Sequence, residues 1–242
     1  MSKINYFGKT DVGLIRPNNE DTFLIKPDIG FCLVSDGMGG AAAGELASRI
    51  FTETALEVFS ADKDQSENNT LVKVKKTFRS AHERILEYVR ENPHHQGMGC
   101  TAELIAFHEH GFLIGHIGDS RIYRIRNGQL KQLTKDHSLV QDQIDQGLIT
   151  PVQAKEHSLR NVILRAVGIN GNLALDILKG KTYSGDLFLL CSDGLTDMID
   201  DHLIGQVLYS DIALPQKTEK LIEMAISAGG RDNTTVVLAE IL

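Results

Sequence analysis

Two apolar runs in this chain end on the same three residues. Phe31-Cys32-Leu33-Val34 leads into Ser35-Asp36-Gly37, and Leu187-Phe188-Leu189-Leu190-Cys191 leads into Ser192-Asp193-Gly194. Each places a carboxylate where a buried strand emerges, with a glycine behind it that frees the backbone to turn. A third acid, Asp232, stands in Gly229-Gly230-Arg231-Asp232-Asn233, directly before the apolar run 234–241. A fourth group, Asn18-Asn19-Glu20-Asp21, precedes the run 22–26. Any one of these alone is an ordinary turn, because Asp-Gly is a common turn dipeptide. Together they are oxygen donors with no accompanying Cys–His set, which suits a hard cation such as magnesium or manganese. Carboxylates at rigid strand ends can hold two such ions about 4 Å apart, the arrangement of two-metal hydrolysis.

The elements that must position these acids are legible as periodicity. Strands are expected at 22–26, 30–35, 101–108, 112–117, 121–126, 129–133, 186–192 and 234–241. Asn127-Gly128 joins two of them as a two-residue hairpin, since both positions tolerate positive φ, and His110-Gly111 turns another pair. Apolar residues at Leu71, Val74, Phe78, Ala81, Ile85 and Tyr88/Val89 predict a helix with Thr70 as its N-cap. Another helix is expected over about 42–59, and a third over 216–228, entered at Pro215 and stopped by Gly229-Gly230. The stretch 62–69 reads as an exposed loop, and 135–160 as a polar insertion holding a short helix. Strands in hairpin order, with helices in pairs, predict an α+β sandwich of two antiparallel sheets flanked by helices rather than a doubly wound parallel sheet.

Composition narrows the function. The 242 residues carry 25 Lys+Arg against 32 Asp+Glu, a net charge of −7, with 42% hydrophobic residues. An acidic chain is a poor partner for nucleic acid or an anionic membrane surface, both of which are held by Lys and Arg. Cys32, Cys100 and Cys191 form no CxxC pair, and the first residues lack the apolar core of a secretory signal. No run approaches the ~20 apolar residues of a membrane span. A cytoplasmic protein of one domain, residues 1–242, is the expectation.

Eight segments in order resemble the metal-dependent protein phosphatase (PPM) family, the type 2C serine/threonine phosphatases, in its bacterial form. They are Asp11-Val12-Gly13 with Arg16-Pro17-Asn18-Asn19-Glu20-Asp21; Val34-Ser35-Asp36-Gly37-Met38-Gly39-Gly40; Gly99-Cys100-Thr101-Ala102; and Ile117-Gly118-Asp119-Ser120-Arg121. The remainder are Leu133-Thr134-Lys135-Asp136-His137-Ser138; Leu164-Arg165-Ala166-Val167-Gly168; Cys191-Ser192-Asp193-Gly194-Leu195; and Gly230-Arg231-Asp232-Asn233-Thr234-Thr235. The resemblance implies a four-layer αββα fold with a flap at 134–165 beside the cleft, either a mobile substrate-contacting element or a plain surface insertion. It implies that Asp36 bridges two Mn or Mg ions and that the Gly37 carbonyl ligates the second. Asp193 and Asp232 would complete the first site, and Glu20 with Asp21 would hold the second through waters. Asp119, with Asp193, would build a weaker third site, and Arg16 would grip the substrate phosphate, as its planar fork allows.

The implied reaction is hydrolysis of phosphoserine and phosphothreonine by in-line attack of a water bridging the two ions, with no covalent phosphoenzyme. A cysteine-dependent route would need Cys-x5-Arg, and the position an arginine would take after Cys191 holds Asp197. Animal members place a histidine after the bridging Asp-Gly; Met38 stands there in this chain. His116 and His137 are therefore read as structural, with a metal-bound water as the proton donor. The implied partners are phosphorylated proteins, targets of a bacterial Ser/Thr kinase, in signal transduction. The oligomeric state is left open, with a monomer the simpler expectation. The alternative is a catalytically inactive binding or regulatory module of the same fold, which should have lost at least one of Asp36, Asp193 or Asp232.

Overall fold

The apolar runs become the inner strands of two sheets. A computed structural model describes residues 3–39, 43–169 and 173–242. Its first sheet takes strands β1 (Ile4–Asp11), β7 (Arg121–Arg126), β8 (Gln129–Gln132), β10 (Leu187–Cys191) and β11 (Thr234–Ile241) in the order β1-β11-β10-β7-β8. The second takes β2 (Asp21–Lys26), β3 (Phe31–Met38), β5 (Ala102–His108), β6 (Gly111–Ile117) and β9 (Asp176–Gly180), in the order β2-β3-β5-β6-β9. The short β4 (Gly99–Cys100) pairs with β3 off that path. The pairings in both sheets are antiparallel.

Alternation along each strand feeds two different cores. Cys32, Val34, Ile105 and Ile114 of one sheet meet Ile122, Phe188, Leu190 and Val237 of the other in the layer between the sheets. Phe188 sits there edge-on to Phe107 and Phe112, with ring centroids 5.6 and 5.0 Å away. Each ring withdraws apolar area worth roughly 1.5–3 kcal/mol from water. The opposite faces of the same strands pack on helices. Phe31, Leu33, Leu104 and Leu113 lie under α1 (Ala43–Ser60) and α2 (Glu67–Glu91). Leu187, Leu189, Val236 and Leu238 lie under α5 (Asp193–Thr196), α6 (Asp201–Tyr209) and α7 (Leu214–Ser227). The result is the four-layer αββα sandwich.

Several sequence expectations shift. The helix expected from Leu71 begins at Glu67, because Ser66 rather than Thr70 is the N-cap, accepting from the Asn69 N–H at 3.4 Å. The end of the stretch read as an exposed loop is therefore helical. Ala42, the expected start of the preceding helix, and Gly40 lie outside the described residues. β1 and β9 escape the periodicity argument because both are half-exposed edge strands whose apolar residues do not alternate cleanly. The flap carries two short helices, α3 (Leu139–Asp145) and α4 (Pro151–Lys155), capped by Ser138 and Thr150. Among the described residues no helix is long and apolar enough to cross a membrane.

Candidate active site

Asp36 and Asp193 reach one cleft from different sheets. Residues Phe31–Val34 of β3 are fully buried, and the strand delivers Asp36 at its exposed end. β10 ends at Cys191, and the chain passes through Ser192 into α5, whose first residue is Asp193. The glycine after each acid does not serve a left-handed turn, as the sequence led us to expect: neither Gly37 nor Gly194 has positive φ. It serves close approach instead. A Cβ on Gly37 would fall on the carbonyl of Gly44, and one on Gly194 would fall on the carbonyl of Asn233. Those contacts bring the start of α1 and the loop before β11 against the two strand ends.

Asn233 ties the remaining pieces together. Its Oδ1 accepts from the Glu20 N–H at 2.8 Å, and its Nδ2 donates to the carbonyls of Val12 and Asn18, both at 2.9 Å. The loop between β1 and β2, which carries Arg16 and Glu20, is thereby fixed to the loop carrying Asp232. A second tie is the Leu14 N–H donating to the Gly230 carbonyl at 2.7 Å. The cleft so formed has a volume of about 530 Å³ and is lined by Arg16, Glu20, Asp36, Gly37, Met38, Asp193 and Asp232, with Asn161 and Ile163 contributed by the flap. His116 and His137 do not line it.

Two of the expected site residues lie behind this lining. Asp21 pairs in register with Asp36 across β2 and β3 and is only 7% exposed. Its Oδ2 accepts from the hydroxyls of Ser192 at 2.7 Å and Thr235 at 2.6 Å. Asp119, 8% exposed, follows β6 on the Gly118 turn.

Burial and mutual repulsion dominate the electrostatics. Burial, then the charges of Asp21, Asp193, Asp119 and Asp232, pushes the Asp36 carboxyl well above the usual range. Asp193 is pushed the same way, by burial and then by Asp119, Asp197, Asp232 and Asp21. Burial lifts Asp21 to about 6 against the opposing hydroxyl bonds, and lifts Asp119 to about 7 with Asp136 adding to it. At the lip, Arg16 Nη2 donates to Asp232 Oδ2 at 2.6 Å, a bond that raises the guanidinium's affinity for its proton.

A divalent cation fits this donor set. Asp21 Oδ1, Asp119 Oδ1 and Asp193 Oδ1 are buried without any hydrogen-bond partner. A buried carboxylate oxygen in that condition is costly unless a cation or proton compensates it. Every donor is oxygen, which selects a hard ion. Among the described residues no three carboxylate, imidazole or thiol groups already converge on one point with ligand geometry.

A family model described as protein phosphatase 2C matches residues 17–228. The chain belongs to the protein phosphatase 2C family. Serine/threonine protein phosphatase PstP of Mycobacterium tuberculosis is 36% identical over 239 residues, 99% of this chain, which spans only 45% of that relative's length. The serine/threonine phosphatase stp of Listeria monocytogenes is 36% identical over 240 residues, covering 96% of this chain and 94% of its own. The crystal structure of the M. tuberculosis phosphatase PstP/Ppp superposes with a TM-score of 0.92 over 98% of both chains. The PstP catalytic domain in complex with two manganese ions, 35% identical, superposes at 0.89 over 99% of this chain and 98% of its own.

The cleft brings Arg16 and Asp232, which flank the matched residues, to the other acids. Asn233, Thr101 and Thr235 stand inside the sequence motifs, yet nothing in the motifs marks a role for them. The only local signal for Asn233 is an amide directly before a buried strand. The contribution of Asn161 and Ile163 to the cleft leaves no signal in the sequence.

Proposed function

We propose that this chain is a protein serine/threonine phosphatase, one catalytic domain over residues 1–242 that releases phosphate from phosphoserine and phosphothreonine. One observation carries the reading. Buried carboxylates with unpartnered oxygens crowd behind a single cleft, and an arginine stands at its lip. Two Mn or Mg ions would be held by Asp36, the Gly37 carbonyl, Asp193 and Asp232. Glu20 and Asp21 would support the second ion through waters, and Asp119 with Asp193 would offer a weaker third site. Bound, such ions supply Lewis acidity that polarises a phosphoryl group and lowers the pKa of water.

The chain's own residues do the rest. Arg16, about half exposed, turns its fork from Asp232 to two phosphoryl oxygens and holds phosphorus for in-line attack. The three cysteines are buried, and burial pushes each thiol up, so none offers a thiolate nucleophile. Ser35 and Ser192 are fully buried and donate their hydroxyl protons to Thr101 O and Asp21. Water is then the nucleophile, and with Met38 in the cleft and no histidine among the described residues that line it, water also supplies the proton to the leaving oxygen. The inactive-module alternative has nothing to favour it, since Asp36, Asp193 and Asp232 are all present.

The relatives' names support phosphoprotein substrates, and the bacterial resemblance supports targets of a Ser/Thr kinase in cytoplasmic signalling. The deciding experiment incubates the purified chain with a phosphothreonine peptide. Phosphate release should require added Mn²⁺ or Mg²⁺ and stop with excess chelator. Turnover that persists undiminished in chelator contradicts the metal mechanism.

A further inference from the structure

Two buried histidines that the reaction does not use stand stacked beneath the root of the flap, with ring centroids 4.4 Å apart. His116, on β6, is fully buried and bonds through Nδ1 to Glu103, its register partner on β5. Its Nε2 lies 2.8 Å from the Lys135 carbonyl. A carbonyl only accepts, so that nitrogen carries a proton.

His137 makes a more unusual set of bonds. Its backbone N–H donates to the Gly118 carbonyl at 2.7 Å, while the Gly118 N–H donates back to its ring Nδ1 at 3.2 Å. Gly118 is therefore held from both sides, one residue before Asp119. The His137 carbonyl accepts from the Leu164 N–H at 2.7 Å, and next to it the Leu139 N–H donates to the Val162 carbonyl at 2.9 Å, so the two ends of the flap are closed together. Because Nδ1 accepts, the neutral ring carries its proton on Nε2, which faces Asp176 Oδ2 at 3.2 Å on β9. Arg165, at the flap's exit, donates to Asp176 Oδ1 at 3.3 Å, so the same carboxylate serves both the imidazole and the guanidinium. Burial, then the neighbouring His116, holds the His137 imidazole down to about 4, in keeping with a neutral ring.

We propose that His137 is a positioning residue: a two-sided clamp on Gly118 that sets the spacing between the flap's cleft wall, Asn161 and Ile163, and the acid Asp119. The part concerning catalysis rests on the phosphatase reading above; the clamp itself does not. An imidazole is required because one planar ring must accept from a backbone N–H at one nitrogen and donate across the flap root at the other. Asparagine can reproduce the first bond, its Oδ1 standing near the place of Nδ1. Phenylalanine keeps the ring's bulk and its packing on His116 but makes neither bond.

The test compares His137→Ala, His137→Asn and His137→Phe with the wild type by backbone hydrogen exchange and by kinetics on a phosphothreonine peptide. With one to two hydrogen bonds removed, amides of Gly118 and of residues 138–164 should exchange about tenfold faster in the alanine and phenylalanine variants. Strands 187–191 and 234–241 should be unchanged, and asparagine should restore most of the protection at Gly118. KM for the peptide should rise about three- to tenfold, with kcat held within about threefold, since the ring's hydrogen bonds position the flap and do not touch phosphorus. A purely structural histidine would instead raise exchange throughout both sheets, or would leave asparagine no better than phenylalanine; either result overturns the clamp. If alanine does not fold, the asparagine–phenylalanine comparison still decides. A wild type inert on the peptide counts against the phosphatase reading, while the exchange data judge the clamp independently.

Discussion

Replacing Asp193 with asparagine should make the metal-free protein more stable while abolishing its turnover. Asp193 is an ionisable group in the wall of the cleft, crowded by Asp119, Asp197, Asp232 and Asp21, with Oδ1 buried and unpartnered. A buried polar group without a partner costs about 1–3 kcal/mol. Asparagine keeps the shape and removes the charge, but its amide also seeks partners, so the gain belongs at the lower end, about 1–2 kcal/mol. For a chain of this size that is a rise in Tm of about 2–8 °C. The assay is thermal unfolding at pH 7.5, in chelator and again in Mn²⁺. In Mn²⁺ the order should reverse: wild type gains about 2.7 kcal/mol when the ion stands at a hundred times its Kd, and the variant gains much less. Phosphate release should fall by at least about a hundredfold, as expected when charge stabilisation is removed from a transition state. A variant less stable than wild type in chelator would refute the claim that repulsion is stored at this site. An undiminished Mn²⁺ shift would refute the assignment of Asp193 as a ligand.

Three other outcomes are open to direct measurement. Arg16→Lys should raise KM for a phosphopeptide about tenfold, because a point charge replaces a bidentate fork; steady-state kinetics with unchanged KM would contradict the grip on phosphate. Asn233→Ala should cost about 2–4 kcal/mol in urea unfolding, as one Glu20 N–H and two carbonyls lose their buried partner, and a loss near zero would mean that the two loops are held elsewhere. The Glu103–His116 pair should make stability decline with rising pH. Burial opposes the His116 charge, but Glu103 and the Lys135 carbonyl outweigh it and lift the imidazole from 6.5 to about 9, while burial lifts Glu103 from 4.5 to about 7. The native state thus keeps protons that the unfolded chain has released, and the stabilisation from His116 is full below pH 6.5 and lost as pH rises through 9. The stability gap between wild type and the E103Q/H116Q double variant should narrow over that window by up to about 3 kcal/mol; a flat or widening gap would argue against a proton shared by the pair.

Local chemistry wrote much of this protein into its sequence. The Asn127-Gly128 hairpin was readable because two consecutive left-handed residues are needed there, and both have positive φ, 51° and 70°. The stripe on α2 was readable because one face of that helix must meet the sheet, and Val74, Phe78, Ala81 and Ile85 do. Asp36 and Asp193 were readable as acids at the ends of buried strands, since a carboxylate that follows an apolar run marks where the run leaves the core. Edge strands such as β1 and β9 were not, because half-exposed strands need no clean alternation.

Only the tertiary structure decided which acids share a space. Asp36 lies on a strand of one sheet and Asp193 opens the helix that follows a strand of the other, and nothing local to either residue brings them together. Sheet register and the packing of one sheet on the other bring them there, with the glycines behind them permitting the last close approach. The same holds for Asn233 joining two loops and for His137 gripping Gly118. Each is a hydrogen bond between distant segments, whose partners become neighbours only when the buried faces of both sheets have found each other.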